Sequence, residues 1–391
     1  MQQFTYCSPT EVVFGPGTEY QVADYVKKYG GSRVLVVYGG GSAVRSGLLD
    51  RVTQALTEAD LTAASFGGAQ PNPLLAHARA GVERAKELEA DFILAVGGGS
   101  AIDTAKAIAH GAANPETDIW DFWSREKPLE RSTPVGVILT IPAAGSETSD
   151  SAVLTNPDIG RKRGLSTPFN RPKFAIMNPE LTLTLPVYQV ACGVTDIMMH
   201  TLDRYFNPID NALTDALAEA LLRTVIAQGR TAVADPHNYD AMSELMWAGS
   251  LSHNGLTGLG GNGDWAVHQL GHELSARFDL AHGASLAAVW GAWARYVCDA
   301  RIERFARYAR NVWGVEEDDD DFAAAAGIAI TEGYFQSIGM PIRFSDCVGV
   351  QPDAVIRELA HSCAYDGTRT IGTLRVLSEE DIAEIYADAN Q

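Results

Sequence analysis

The feature that most constrains the fold is a unit that recurs in the first half of the chain: an apolar run, a glycine cluster, then a helical pattern. Val34-Leu35-Val36-Val37-Tyr38 leads into Gly39-Gly40-Gly41-Ser42, and a helical pattern follows over about 45–56. Phe92-Ile93-Leu94-Ala95-Val96 leads into Gly97-Gly98-Gly99-Ser100, and a helix is predicted over 101–109. A third run, Val135-Gly136-Val137-Ile138-Leu139-Thr140-Ile141, ends at Pro142-Ala143-Ala144-Gly145-Ser146-Glu147. Short runs without polar alternation are buried on both faces, so their alternation with helices predicts a parallel sheet with both faces covered.

Glycine loops at the carboxyl ends of such strands let the backbone approach a ligand closely. The helix that follows presents free N–H groups to an anion such as pyrophosphate. A single glycine loop closes a tight connection equally well. Two of them, with Thr140 at a third strand end, favour a nucleotide crevice. The spacing is not G-x-G-x-x-G, so the ordinary dinucleotide fingerprint does not apply. Asp103 and Lys106 lie in the helix after the second loop, where each also reads as plain surface charge. Pro71-Asn72-Pro73 is a rigid connection whose Asn72 is another residue able to face the crevice.

At 391 residues the chain is too long for one compact core, and its 46% hydrophobic content can bury sizeable ones. From about Pro186 strand-like runs give way to Ala/Leu-rich amphipathic segments at 212–225, 241–251, 285–296 and 302–313. The boundary is expected within 178–186. This divides the chain into an α/β dinucleotide-binding domain, Rossmann-like with a parallel sheet, over 1–185, and an all-α metal-binding domain over 186–391.

The helical half holds two clusters of metal-ligand residue types. Asp196 and His200 stand four apart and so share one face of a helix; His268 and His272 do the same, and His282 follows after a further turn and a loop. A lone His pair at that spacing is commonly structural. Here several of the nine His of the chain gather with an Asp at matching spacing. One carboxylate with two or three imidazoles suits Fe(II) or Zn(II) and leaves room for an open coordination position. Spacing does not separate His272 from the ligands. His253 has no spaced partner and reads as structural.

Charge and cysteine usage narrow the setting. With 30 basic against 49 acidic residues the net charge is -19, which disfavours nucleic acid and anionic membranes as partners. No signal peptide or membrane-length apolar run is visible. Cys7, Cys192, Cys298, Cys347 and Cys363 are scattered without a CxxC, as expected of reduced thiols in a cytoplasm. Val315-Glu316-Glu317-Asp318-Asp319-Asp320-Asp321 reads as a solvated loop before a helix.

Gly97-Gly98-Gly99-Ser100 with Asp103 and Lys106 resembles the GGGSxxDxxK signature of the iron-dependent (group III) alcohol dehydrogenases. Gly145-Ser146-Glu147 resembles their GSE segment, and the stretches 193–200 and 268–283 resemble their two metal-binding signatures. The resemblance runs over nearly the whole chain and is strongest to the butanol dehydrogenase and broad-range aldehyde reductase branch. It implies that Asp196, His200, His268 and His282 bind the metal, Fe(II) with Zn(II) as alternative, and that His272 sits beside the nicotinamide and substrate as a proton-relay candidate. It places cofactor contacts on Gly40, Ser42, Asn72, Gly98, Gly99, Ser100, Asp103, Thr140, Lys162 and Leu181. It further implies a small aldehyde or alcohol substrate, an active site between the two domains, and a homodimer. Many relatives carry a Gly/Pro/Arg-rich turn near the end, whereas this chain has Cys363-Ala364-Tyr365-Asp366-Gly367-Thr368-Arg369, which leaves specificity open.

NADP(H) is the expected cofactor in preference to NAD(H). An acid that accepts from the adenosine ribose selects NAD and repels a 2′-phosphate. No acid follows Tyr38 until Asp50, while Gly39, Gly40, Ser42 and Arg45 suit a phosphate. A zinc-dependent glycerol dehydrogenase also fits the fold, though less well the Asp-plus-three-His set. A dehydroquinate synthase-like lyase would need more Lys and Arg near the metal. A metallohydrolase would leave two glycine loops without a purpose, and a non-catalytic nucleotide-binding module would leave the ligand clusters without one.

Overall fold

The computed structural model describes residues Met1–Gln391. Its strands are β1 (Glu11–Phe14), β2 (Arg33–Tyr38), β3 (Thr62–Phe66), β4 (Phe92–Gly97), β5 (Val135–Leu139), β6 (Ser151–Asn156), β7 (Arg161–Ser166) and β8 (Phe174–Met177). Six form one wholly parallel sheet in the order β1-β8-β5-β4-β2-β3. The three apolar runs singled out in the sequence are β2, β4 and β5, side by side at its centre.

Period-two geometry explains why these runs carry no polar residue. Val34 and Val36 face a cluster with Val26, Val52, Leu56, Leu94 and Ile176, while Leu35 and Val37 are buried on the opposite side. Each fully buried Val, Leu or Ile contributes about 1.5–3 kcal/mol, so the strand centre is strongly specified.

Two local expectations change. The helical stretch at 45–56 is two helices, Ser42–Arg45 and Leu48–Glu58, because Gly47 between them adopts φ 69. β6 and β7 form an antiparallel hairpin that the sequence did not announce, since Arg161-Lys162-Arg163-Gly164-Leu165-Ser166 has no apolar alternation to mark a strand.

The chain divides into two compact units, Cys7–Thr184 and Leu185–Gln391, the latter joined by Met1–Tyr6. The second is built of helices. Its Val187–Tyr205 helix is buried around its whole circumference from Gly193 onward, the mark of a core helix. The His282–Val297 helix packs on it closely. A Cβ added at Gly283 would lie 2.2 Å from the Cys192 carbonyl oxygen, so only glycine allows the approach. No helix is long and apolar enough to cross a membrane.

Candidate metal centre and nucleotide crevice

Because the Val187–Tyr205 helix is a core element, Asp196 and His200 point into the protein, at 4% and 5% exposure. The Ala266–Phe278 helix brings His268, also 5% exposed, and the first residue of the next helix brings the half-buried His282. One carboxylate oxygen, Asp196 Oδ1, lies 3.3 Å from His200 Nε2, 3.9 Å from His268 Nε2 and 3.7 Å from His282 Nε2. Donor atoms of Asp196, His268 and His282 all lie within 4.8 Å of one another. Ligands about 2.1 Å from a tetrahedral zinc-like centre stand about 3.4 Å apart, so the cluster has the size a divalent cation needs.

Protonation suits the same reading. Burial, reinforced by the neighbouring His253, His268 and Arg204, holds His200 well below the ordinary imidazole value, which keeps it neutral. His268 Nδ1 lies 2.5 Å from Asp203 Oδ2, and Asp203 is 1% exposed. That carboxylate fixes the Nδ1–H tautomer and leaves the Nε2 lone pair directed at the cluster. His268 Nε2 is buried and has no hydrogen-bond partner, a costly state unless a cation takes it. The donor set therefore fits the metal.

His272 stands apart from the three mutually close donors. Its ring is 5.4 Å from that of His282, nearly parallel to it, and 6.3 Å from that of His268. It is half-buried at the edge of the cluster. The backbone around the centre is constrained. Trp265, immediately before the Ala266–Phe278 helix, has φ 63, a conformation that bulky residues adopt only where packing enforces it. Next to it, Asp264 accepts N–H bonds from Ala266, Thr373 and Leu374, tying the helix start to the C-terminal loop.

Sequence reasoning missed Asp203 and gave His253 no partner. Asp203 follows Asp196 by seven positions, so it shares the helix face and was findable by extending the Asp196–His200 spacing one turn. His253 reads as partnerless in the sequence, yet its ring centroid is 3.8 Å from that of His200. Only the fold shows this. Cys363 is fully buried, and burial pushes its thiol up to about 12.

In the α/β unit, β2 runs out to β3 while β4 runs on the other side to β5, so the order reverses between the adjacent β2 and β4. Open parallel sheets bind ligands at such switch points, beyond the carboxyl ends of the strands. Gly39-Gly40-Gly41-Ser42 and Gly98-Gly99-Ser100 follow those two ends. The Gly99–Ala113 helix begins after Gly98 with no side-chain cap, which leaves its first N–H groups for an external acceptor. A Cβ at Gly98 would come 3.0 Å from Ile141 Cδ1, so the loop is drawn tightly against the end of β5. Thr140 follows β5 directly, its N–H donating to the Gly97 carbonyl.

Lys162 and Asn72, far apart in sequence, are brought together: Lys162 Nζ donates to Asn72 Oδ1 at 2.8 Å. Hairpin β6–β7 carries Lys162 there, and Thr155 N–H on that hairpin donates to the Pro73 carbonyl. Asp103 and Lys106 are not surface charges. Lys106 is fully buried and donates to the Ser146 carbonyl, Ser146 Oγ and the Ser151 carbonyl at 2.7–2.8 Å. Burial lowers its pKa to about 8, and burial likewise raises the Asp103 carboxyl. Asp103 uses one oxygen on Ser146 Oγ and the other on Val153 N–H. The pair thus clamps the Gly145-Ser146-Glu147 segment and the hairpin. Leu181 packs on the sheet core rather than standing apart from it.

Residues 9–179 match the family described as iron-containing alcohol dehydrogenase, and residues 190–390 match its C-terminal family. The chain belongs to the iron-containing alcohol dehydrogenase family. It is 39% identical to NADH-dependent butanol dehydrogenase A of Clostridium acetobutylicum, covering 99% of each chain. It is 38% identical to the NADPH-dependent aldehyde reductase YqhD of Escherichia coli, covering 88% of this chain and 89% of that one. Among solved structures, NADH-dependent butanol dehydrogenase A of Thermotoga maritima superposes with a TM-score of 0.96 at 32% identity, covering 100% of this chain and 99% of that one. The parallel-sheet unit followed by a helical unit, expected from the sequence, is the fold this family shares.

Proposed function

We propose that the protein reduces short-chain aldehydes, and oxidises the corresponding primary alcohols, at a divalent cation held by Asp196, His200, His268 and His282. The convergence of donor atoms from Asp196, His268 and His282 within 4.8 Å carries the proposal. When bound, the cation supplies Lewis acidity at the substrate oxygen and the dinucleotide gives or accepts the hydride. Asp203 keeps the proton on His268 Nδ1, so Nε2 stays a donor atom toward the cluster. His272, beside His282 and half-buried, is placed to exchange a proton between substrate and solvent. In the α/β unit, Gly40, Ser42, Gly98, Gly99, Ser100 and Thr140 line the dinucleotide crevice. Asn72 and Lys162 act there as a bonded pair, and Asp103 contributes by fixing the loop around Ser146. Leu181, partly buried against the sheet core, completes the proposed cofactor contacts.

Fe(II) is the proposed ion, in keeping with the family, and NADP(H) the proposed cofactor. The matched relatives differ in cofactor: the butanol dehydrogenases are named NADH-dependent and YqhD NADPH-dependent. The residues of this chain favour the second. The loop after β2 holds no acid, and the Arg45 guanidinium lies against Gly41. The test is a turnover screen of the purified protein, reconstituted anaerobically with Fe(II) or Zn(II), against short aldehydes and primary alcohols with NADPH and NADH. Metal-dependent aldehyde reduction faster with NADPH is expected. Cofactor-independent hydrolysis, or turnover indifferent to metal, would contradict the proposal.

A further inference from the structure

The two buried histidines nearest Asp196 are oriented by different means. His268 has its second ring nitrogen tied to Asp203, whereas His200 Nδ1 is buried with no hydrogen-bond partner. Beyond the contact of Nε2 with Asp196 Oδ1 at 3.3 Å, nothing polar fixes the rotation of the His200 ring about its Cβ–Cγ bond. Flat packing does. The His253 ring lies 3.8 Å away centroid to centroid and 35° from parallel, closer than any other ring to His200.

His253 is itself locked. Arg204 Nη2 lies 2.8 Å from His253 Nδ1, and a guanidinium can only donate, so Nδ1 accepts and the proton sits on Nε2. Arg204 is 8% exposed, donates through Nη1 to the His200 carbonyl at 2.6 Å, and stacks its guanidinium 4.4 Å from the Trp265 ring centroid. Trp265 stands edge-on to His200, His253 and His268 at 6.1, 6.1 and 5.4 Å. The left-handed backbone of Trp265 noted above is what delivers the indole to this place. Arg204 is one helical turn from His200 on the same helix, so one short stretch supplies both the ring and the group that fixes its neighbour.

We infer that His253, held by Arg204 and Trp265, is a positioning residue whose ring face sets the plane of His200 toward Asp196. The inference rests on the proposed metal reading, and its test keeps the two separable. Co(II) is the probe, because its visible d–d absorption reports ligand geometry independently of turnover. Two variants of similar bulk are compared, His253→Phe with a flat ring and His253→Leu without one; both equally remove the Nδ1 acceptor that Arg204 meets at residue 253. Outer partners of a metal ligand typically change metal affinity on the order of 10- to 100-fold. His253→Leu is expected to weaken Co(II) binding by about that factor and to shift the d–d bands. His253→Phe is expected to stay within about threefold of wild type with its bands unmoved.

Equal behaviour of the two variants, whether both tight or both weak, overturns the inference. A wild-type protein that binds no Co(II) overturns the metal reading with it. Arg204→Met gives an independent measurement should His253→Leu not fold, since it removes the guanidinium donor to His253 Nδ1 while keeping an aliphatic stem. It is expected to weaken Co(II) binding about tenfold. Wild-type affinity in that variant overturns the inference as well.

Discussion

A single buried side chain, His110, carries the sharpest pH prediction of the α/β unit. Its Nε2 faces Asn170 Oδ1 and its Nδ1 faces Ser132 Oγ, each at 2.8 Å. The Asn170 amide is oriented by donating to the Asp150 and Leu165 carbonyls, so its oxygen is the atom that meets the imidazole. The ring is 0% exposed, and burial lowers its pKa to about 4. Between about pH 6.5 and 4 the unfolded chain takes up a proton that the folded chain refuses, so stability falls as pH falls through that window. The loss approaches roughly 3 kcal/mol at pH 4 relative to pH 7. Denaturant unfolding followed by fluorescence of Trp123, whose ring lies 5.8 Å from His110, should show this fall. His110→Gln should flatten it; an equally steep fall in that variant would contradict the assignment. Legibility at this scale follows where each partnership is encoded. Asp196 with His200, and His268 with His272, are helical neighbours, so their spacing announced them. Asp203 lay one turn further along the same face and was overlooked. What Lys106 and His253 touch, Ser146 with Ser151 and His200, was not legible because only tertiary packing brings it near.

At the scale of elements, the strand, glycine loop and helix unit was readable because burial on both faces forces the centres of β2, β4 and β5 to be continuously apolar. Hairpin β6–β7 was not, since its polar second strand is held by main-chain pairing and by Lys162 reaching Asn72. The break at Gly47 was missed for a related reason: a glycine within a helical pattern does not reveal its φ. The loop after β2 carries the cofactor prediction. Gly39 does not adopt a positive φ, and a Cβ there would meet only the Ala69 carbonyl at 3.4 Å, so an aspartate can be accommodated. Gly39→Asp should lower the ratio of kcat/KM for NADPH to that for NADH by about tenfold or more, by adding an acid that repels the 2′-phosphate. The wild-type ratio should exceed one. A ratio at or below one, or no change in the variant, would remove the case for NADP(H).

Over the whole molecule, the change from strand runs to amphipathic helices near Pro186 was written in composition, whereas the association of Met1–Tyr6 with the helical unit was not. Those six residues carry no pattern that says which core they join. The account of function hangs on the helical unit, where a core helix, a constrained turn at Trp265 and a close approach at Gly283 bring distant donors to Asp196 Oδ1. The most direct test is Fe(II) retained per chain after anaerobic reconstitution and desalting, in wild type, His268→Ala and His272→Ala. Wild type and His272→Ala should each retain about one, with kcat of the latter lower by about 10²-fold if it relays the proton. His268→Ala should retain almost none. One Fe(II) per chain in His268→Ala, or a loss in His272→Ala as complete as in His268→Ala, would contradict the site assigned here.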